Sequence, residues 1–573
     1  MTDKPASDIS APARSAASRL RRSAVNALMR TPLYRMRLKG PRATEVLFVP
    51  QDLRTMDPTF VTEVEHGHMG LAGFVVDLAG RSPFTIVPPN PTWDERLHAF
   101  SWLRHMRAAR DEGGDVLAKR LVAEWIALNS SPRGRAFEPA VLARRILSWL
   151  CNAGMLLENT DARAYEAILR SLEMQMGHLA SIHGQAPAGF ARLNALLALV
   201  YAGLCIADQE HVLALYEPAF LAELDRQILP SGAHVTRSSA GLIELLIDLL
   251  PLTQCFVARN RPVPEQLQAA IKRIHPWIRY MRMGDGQLAR FHGAGVPMSV
   301  NLATVLAYDD VLARLEPLEA QGYLRAQAGR TILLMDAGAP PPLEHSSEAH
   351  AGCLSFELSS ASQLLIVNCG APAAKHAALR ELGRSTAAHS TLAIEGASSS
   401  QLVQGKLVEG RVGGLRLAGP SGVDSRFTAL SGGGADIEAS HDGYLSRLGV
   451  VHTRSLRLAA DGRTLDGRDR LAHPDAGARI MGDIPFGIHF HLHPDAGVRS
   501  GESAGTASLE LPNGETWRLS VRGDATLTFE ESEFLSDGGG PRRSIQVVLR
   551  GRCLDRAEVH WRLEQTAARE RQE

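Results

Sequence analysis

The feature that most limits what this chain can fold into is a change of apolar period near residue 336. From about residue 95 to 330 apolar side chains recur every three or four positions, as in Leu117, Leu121, Trp125, Leu128, then Leu142, Ile146, Trp149, then Ile168, Leu172, Met176, Leu179. That spacing lines one face of a helix. The series continues through 191–206, 211–228, 240–257 and 264–283, with Pro139, Gly189, Pro230 and Pro264 at or near the breaks, so short turns separate successive helices. Pro218 falls inside one of these segments and is expected to kink or split it. A helical array or (α/α) toroid fits so long a series better than a four-helix bundle.

The proline-rich joint GAPPPLEH then closes the helical part, and the chain beyond it is rich in Gly, Ser and short alternating segments. SFELSS, QLLIVNCG, STLAIEG, RSLRLAADGRTLDG, GIHFHLHP, ASLELPNGETWRLSV and SIQVVLRG read as strands, with two-residue hairpin turns at Asp461-Gly462 and Asn513-Gly514. Strands that follow one another without an intervening helix imply an antiparallel β-sandwich. The expected plan is a basic leader without fixed structure over 1–40, a helical toroid over 41–335 and a β-sandwich over 340–565.

Length and composition agree with two domains, since 573 residues exceed what one hydrophobic core supports and 45% of them are hydrophobic. Lys plus Arg and Asp plus Glu each number 62, so net charge supplies no drive toward nucleic acid or an anionic membrane, and no nucleic-acid partner is expected. Cys151, Cys205, Cys255, Cys353, Cys369 and Cys553 show no CxxC spacing and several sit in apolar runs, which reads as buried thiols. Near the arginines at 14, 19, 21, 22, 30, 35 and 37 the longest apolar stretch, AVNALM, is shorter than a secretory core, and Arg21-Arg22 alone is not a twin-arginine signal. No run is read as a membrane span. The expected compartment is the cytoplasm, with export to the periplasm or cell envelope as the alternative.

The chemistry-bearing residues cluster around Glu348-Ala349-His350-Ala351-Gly352-Cys353-Leu354-Ser355-Phe356, Leu365-Ile366-Val367-Asn368-Cys369-Gly370 and Arg384-Ser385-Thr386-Ala387-Ala388-His389-Ser390-Thr391. Their order resembles the C-terminal domain of the heparinase II/III-like polysaccharide lyases, whose pattern runs H-x-H-x-D-x-L-S-F, L-V-D-x-G, R-x-T-x-x-H-N-T. His441-Asp442-Gly443-Tyr444 and Val451-His452-Thr453-Arg454 extend the match, and Gln227 to Ser238 is similar to the family's helical-side Q-x-x-x-D-G segment. The resemblance implies a helical toroid followed by a β-sandwich, cleavage of a uronate-containing polysaccharide by β-elimination, and a structural zinc ion carried over onto His350, Asn368 and His389. Asn368 stands where the family has Asp, which takes a negative charge out of that set.

Other departures fall on the chemistry. Ala240, Gly241 and Leu242 occupy the place of the family's acid/base Tyr, the Gly189-Phe190-Ala191 segment offers no substrate-facing Asn, and Glu348 replaces a mechanistic His. The polar groups left for a modified reaction are His234, Arg237, Glu348, Arg384 and Tyr444. Arg237 and Arg384 suit a substrate carboxylate through their planar forks, and His234, then Tyr444, suit proton transfer. Each also reads as an ordinary loop, ion-pair or strand residue. His489, His491 and His493 alternate along a strand and so share a face, either a metal site or a plain strand face. Met283-Gly284-Asp285-Gly286 reads as a turn, without the flanking pattern of a phosphate loop. The expected function is therefore an acidic-polysaccharide lyase, and the alternative a non-catalytic polysaccharide-binding or envelope-assembly protein that kept the fold. Hydrolysis by a carboxylate pair is a third class, but no two acids can be placed at the required separation.

Overall fold

The computed structural model describes residues 43–110, 113–309, 322–403, 415–475, 478, 480, 482–523 and 525–566. The leader expected over 1–40 lies outside them. Contacts divide the chain into two units. One takes the chain up to Arg226 together with Leu245–Ile271, and the other takes Gln227–Glu244, Lys272–Val403 and Arg416 onward.

The helical part follows the apolar period closely. The three opening repeats become α1 Gly114–Leu128, α2 Pro139–Cys151 and α3 Ala162–Ile182. After them come α4 Phe190–Cys205, α5 Glu210–Gln227, α6 Ser239–Ala258 and α7 Glu265–Tyr280. Local chemistry sets the starts. Pro139 occupies the first turn of α2, and the Asp161 side chain accepts from the Arg163 and Ala164 amides to cap α3. Pro218 does not split its segment, because α5 runs through it as one helix. Around the first repeats Phe100, Trp125 and Trp149 meet edge to face, and the buried Arg145 guanidinium lies 4.2 Å above the Trp125 ring.

By length and composition α6 is long and apolar enough to cross a membrane, which the sequence reading missed because Glu244 and Asp248 interrupt the apolar run. Its 18-residue apolar window is 67% buried within the protein, and Asp248 is held by Arg54 at 2.8 Å and Arg144 at 2.6 Å. Both observations are those of a core helix.

The strands begin earlier than the proline joint suggests. After a small hairpin of β1 His68–Leu71 and β2 Phe74–Asp77 in the first unit, β3 Tyr323–Ala328 and β4 Thr331–Asp336 already belong to a sheet of the second. TILLMD in β4 is nearly all buried, and a continuous apolar run carries no period to tell strand from buried helix. That sheet also contains β5 Phe356–Ser360, β6 Gln363–Val367, β7 Leu392–Ile394, β14 Ile484–Leu492, β18 Ala525–Phe534 and β19 Arg542–Cys553. Its order is β18-β19-β14-β6-β5-β4-β3, with β7 paired to β14. A short pair, β8 Gln401–Val403 and β9 Arg416–Ala418, stands apart.

The second large sheet has the order β10-β11-β12-β13-β20-β17-β16-β15. These strands are β10 Val423–Ala429, β11 Ala435–His441, β12 Val451–Leu458, β13 Thr464–Ala472, β15 Gly497–Ser500, β16 Thr506–Glu510, β17 Thr516–Gly523 and β20 Arg556–Thr566. Asp461-Gly462 and Asn513-Gly514 do turn β12 into β13 and β16 into β17, but within loops longer than the expected two-residue turns, because the flanking pairs closest to them are Ala459 with Thr464 and Leu511 with Glu515. Inward residues of both sheets form one core, in which Phe356 of β5 stacks on Trp561 of β20 at 5.8 Å. All-helical structure followed by antiparallel sheets is the observed fold class.

Candidate functional site

Loops at the strand ends of the second unit carry the residues singled out from the sequence. Arg237 lies just ahead of α6 with a positive φ of 60°. Its guanidinium donates to the carbonyls of Gly338 (3.0 Å), Ala339 (2.8 Å) and Gly322 (2.7 Å) and to Asp336 Oδ1 (2.7 Å), and stacks 4.4 Å over Tyr323. A Cβ on Gly322 would fall 2.7 Å from Arg237 Nη2, so glycine there admits the cation. Both terminal nitrogens of the fork expected to hold a substrate carboxylate are spent on the protein itself, and Nε is buried.

His234 is fully buried. Its Nε2–H donates to Gln227 Oε1 at 2.7 Å, and its Nδ1 meets the Thr236 hydroxyl at 2.8 Å and accepts from the Thr236 amide at 3.2 Å. Burial, helped by nearby His345, pulls its pKa down to about 3. Both ring nitrogens are engaged, so His234 is a neutral structural imidazole and not the expected proton carrier. Tyr444 is likewise corrected. It sits at 0% exposure in the sandwich core with its hydroxyl donating to the Leu392 carbonyl, and burial pushes the phenol well above its usual range.

Asp336 links this region to a histidine cluster. Its Oδ2 accepts from His292 Nε2–H at 3.0 Å, and His292 Nδ1 accepts from the His350 amide at 3.2 Å. Burial would raise the Asp336 carboxyl, but Arg237 and His292 outweigh it and hold it below the ordinary value. His350 Nδ1 and His389 Nε2 then face each other at 3.2 Å. His389 Nδ1 donates to the Ser385 carbonyl at 2.7 Å, so its Nε2 is the acceptor and His350 the donor. Burial lowers both pKa values, that of His389 to about 4.

Of the expected zinc set, His350 and His389 face each other and Asn368 is held by the backbone of Ser390. Asn368 Oδ1 accepts from the Ser390 amide at 2.9 Å, which leaves that oxygen one further lone pair, while its amide Nδ2 is a donor without a partner among the described residues. His350 and His389 meanwhile satisfy each other. Among the described residues no group of three or more His, Cys, Asp and Glu could hold a metal ion. With a neutral amide in place of the family's carboxylate, the set His350, Asn368 and His389 is poorer in negative charge than the one the resemblance implied, and no step is routed through a metal.

Arg384 donates through Nε to the Ala349 carbonyl (2.8 Å) and through Nη2 to that of Ser346 (3.1 Å), fixing the loop that carries His350. Glu348, about half exposed, pairs with Arg380. The histidines of β14 go to separate partners. His489 meets Gln546 Oε1 at 2.8 Å and His491 bridges Ser532 Oγ and the Ala387 carbonyl, while His493 lies past the strand end. Met283 and Gly286 close the expected turn by a 3.0 Å backbone hydrogen bond.

Sequence reasoning missed the role of His292 and Asp336, which carry no periodic signal, and assigned none to His452 and Arg454. Those two converge on buried Asp469, which accepts from His452 Nε2 (2.7 Å), Arg454 Nε (2.7 Å) and Trp561 Nε1 (2.9 Å). The His452 and Arg454 positions were visible in the motif match, but their partner Asp469 was not.

A family description, "Heparinase II/III-like, C-terminal", matches residues 310–562. The chain is 30% identical over 541 residues to FtsZ-localized protein C of Caulobacter vibrioides (strain NA1000 / CB15N), covering 92% of each. A solved structure of heparinase III matches with a TM-score of 0.67 at 12% identity over 87% of this chain and 80% of that one. Heparan sulfate lyase HepC from Pedobacter heparinus matches with a TM-score of 0.59 at 14% identity over 98% and 89%. At those identities the structural likeness is one of fold.

Proposed function

The chain belongs to the heparinase II/III-like family, and from that premise we propose that it is a non-catalytic member that binds an acidic, uronate-containing glycan in the service of cell-envelope assembly. One observation carries this reading. The groups offered for proton transfer, His234 and Tyr444, are 0% exposed with their polar atoms bonded inside the protein. β-Elimination needs a base that reaches the proton beside the carboxylate and an acid that reaches the leaving oxygen. Arg237, spent on Asp336 and three carbonyls, adds no charge neutralisation to a substrate.

The relative named for localisation with FtsZ supports an assembly role, and we extend that localisation to this chain.

The test is incubation with a panel of uronate-containing polymers, following both retention of the polymer and the ultraviolet absorbance of an unsaturated product. Binding without absorbance is the expected result. A rise in absorbance on any polymer would show a lyase, and the absence of binding to all of them would remove the glycan reading altogether.

A further inference from the structure

Arg416 opens β9 at 1% exposure, yet its Nε, Nη1 and Nη2 have no hydrogen-bond partner among the described residues. A guanidinium carries five N–H donors, and leaving them all empty in a buried place is costly unless something else comes to fill them. Of the protein's own carboxylates nearby, Glu348 pairs with Arg380, and Glu344 is largely exposed, 3.6 Å from the neighbouring His345 ring. Burial is the largest influence on the Arg416 charge, with Glu348 and then Glu344 acting against it from a distance.

A second arginine is tied to the same spot. The amide of Leu417, next in the chain, donates to Ser346 Oγ at 3.0 Å, and the Ser346 carbonyl accepts from Arg384 Nη2 at 3.1 Å. Ser346 is itself fully buried. One loop residue thus holds the backbone beside Arg416 and the Arg384 guanidinium together.

We propose that Arg416, with Arg384 adding positive charge beside it, forms an oxyanion-binding site whose ligand is the planar carboxylate of an acidic sugar. The fork of Arg416 presents paired donors that match the two oxygens of a carboxylate. The site deepens the glycan reading and rests on it only for the source of the carboxylate.

The experiment uses the full chain with sodium glucuronate, phosphate, sulfate and a polyuronate, each balanced with chloride to one ionic strength, and reads binding by calorimetry alongside the thermal midpoint. Glucuronate should raise the midpoint of the wild type beyond chloride. Arg416→Met should weaken glucuronate binding at least tenfold while raising the midpoint without ligand, because it removes an unsatisfied buried charge. A purely structural Arg416 would do the reverse, so a lower ligand-free midpoint with an unchanged glucuronate response overturns the proposal. So does a wild type that responds to none of the anions, and a stronger response to phosphate or sulfate overturns the carboxylate assignment. Arg416→Lys, which keeps the charge but loses the fork, is the second variant, and binding equal to wild type would count against the fork. If polyuronate binds both wild type and Arg416→Met equally, the site falls and the glycan reading stands. If glucuronate binds through Arg416 while no polymer binds, the glycan reading falls and the site stands.

Discussion

His234 shows how a side chain typed for proton transfer becomes architecture. Its Nδ1 accepts from Thr236, so protonating the ring would turn an acceptor into a donor facing a donor, and burial adds to the penalty. The ordinary pKa of 6.5 falls to about 3 in the folded chain. Below pH 6.5 the unfolded chain binds a proton there that the folded chain refuses, so the contribution of His234 is complete above pH 6.5 and is lost as the pH falls toward 3. The loss approaches about 1.4 kcal/mol per pH unit within that window. His234→Gln should therefore be less stable than wild type at pH 7 by urea unfolding, with the gap narrowing by at least about 1 kcal/mol at pH 5. A constant gap would mean that the imidazole titrates normally. The same logic of engaged atoms applies to Arg237, whose partners Gly322, Asp336, Gly338 and Ala339 all lie about a hundred residues downstream.

At the scale of the element, the pairing of β13 with β20 rests on one glycine. Gly467 stands opposite Trp561, and a Cβ there would fall 2.1 Å from the indole ring. The ring fills that space because it must also stack on Phe356 and donate to Asp469 at 2.9 Å. Gly467→Ala should cost about 1–3 kcal/mol of stability by chemical denaturation, as overpacking does. It should also weaken the Trp561–Asp469 hydrogen bond, visible as a change in indole fluorescence. Turn chemistry at Asp461-Gly462 and Asn513-Gly514, and helix starts at Pro139 and Asp161, are set by neighbours in the chain, which is why those boundaries were legible. β3 and β4 were not legible, because their burial is decided by a sheet whose other strands come later.

At the scale of the molecule, the second unit is discontinuous, drawing on Gln227–Glu244 and on Lys272 onward. A fragment of residues 340–573 lacks β3 and β4 and with them Asp336, the partner of Arg237 and His292. It should show strand-rich circular dichroism but no cooperative unfolding, whereas a fragment beginning at Gln227 should recover a cooperative transition. Equal cooperativity in both would mean that the proline joint is the true boundary. The sequence by itself determined the order of helices and then strands, most helix limits, both Gly-containing hairpins and the motif positions, because those depend on periods and turns within a few residues. It also brought His350 and His389 together as motif partners. What only the tertiary structure decided is what each polar residue does: whether Arg237 meets a ligand or Asp336, whether His234 carries a proton or braces a loop, which backbone amide Asn368 answers, and that Arg416 is buried with its fork empty among the described residues. A polar side chain is defined by the partner that answers its charge and hydrogen bonds, and here that partner arrives from 99 residues away for Arg237, beyond the reach of any local pattern.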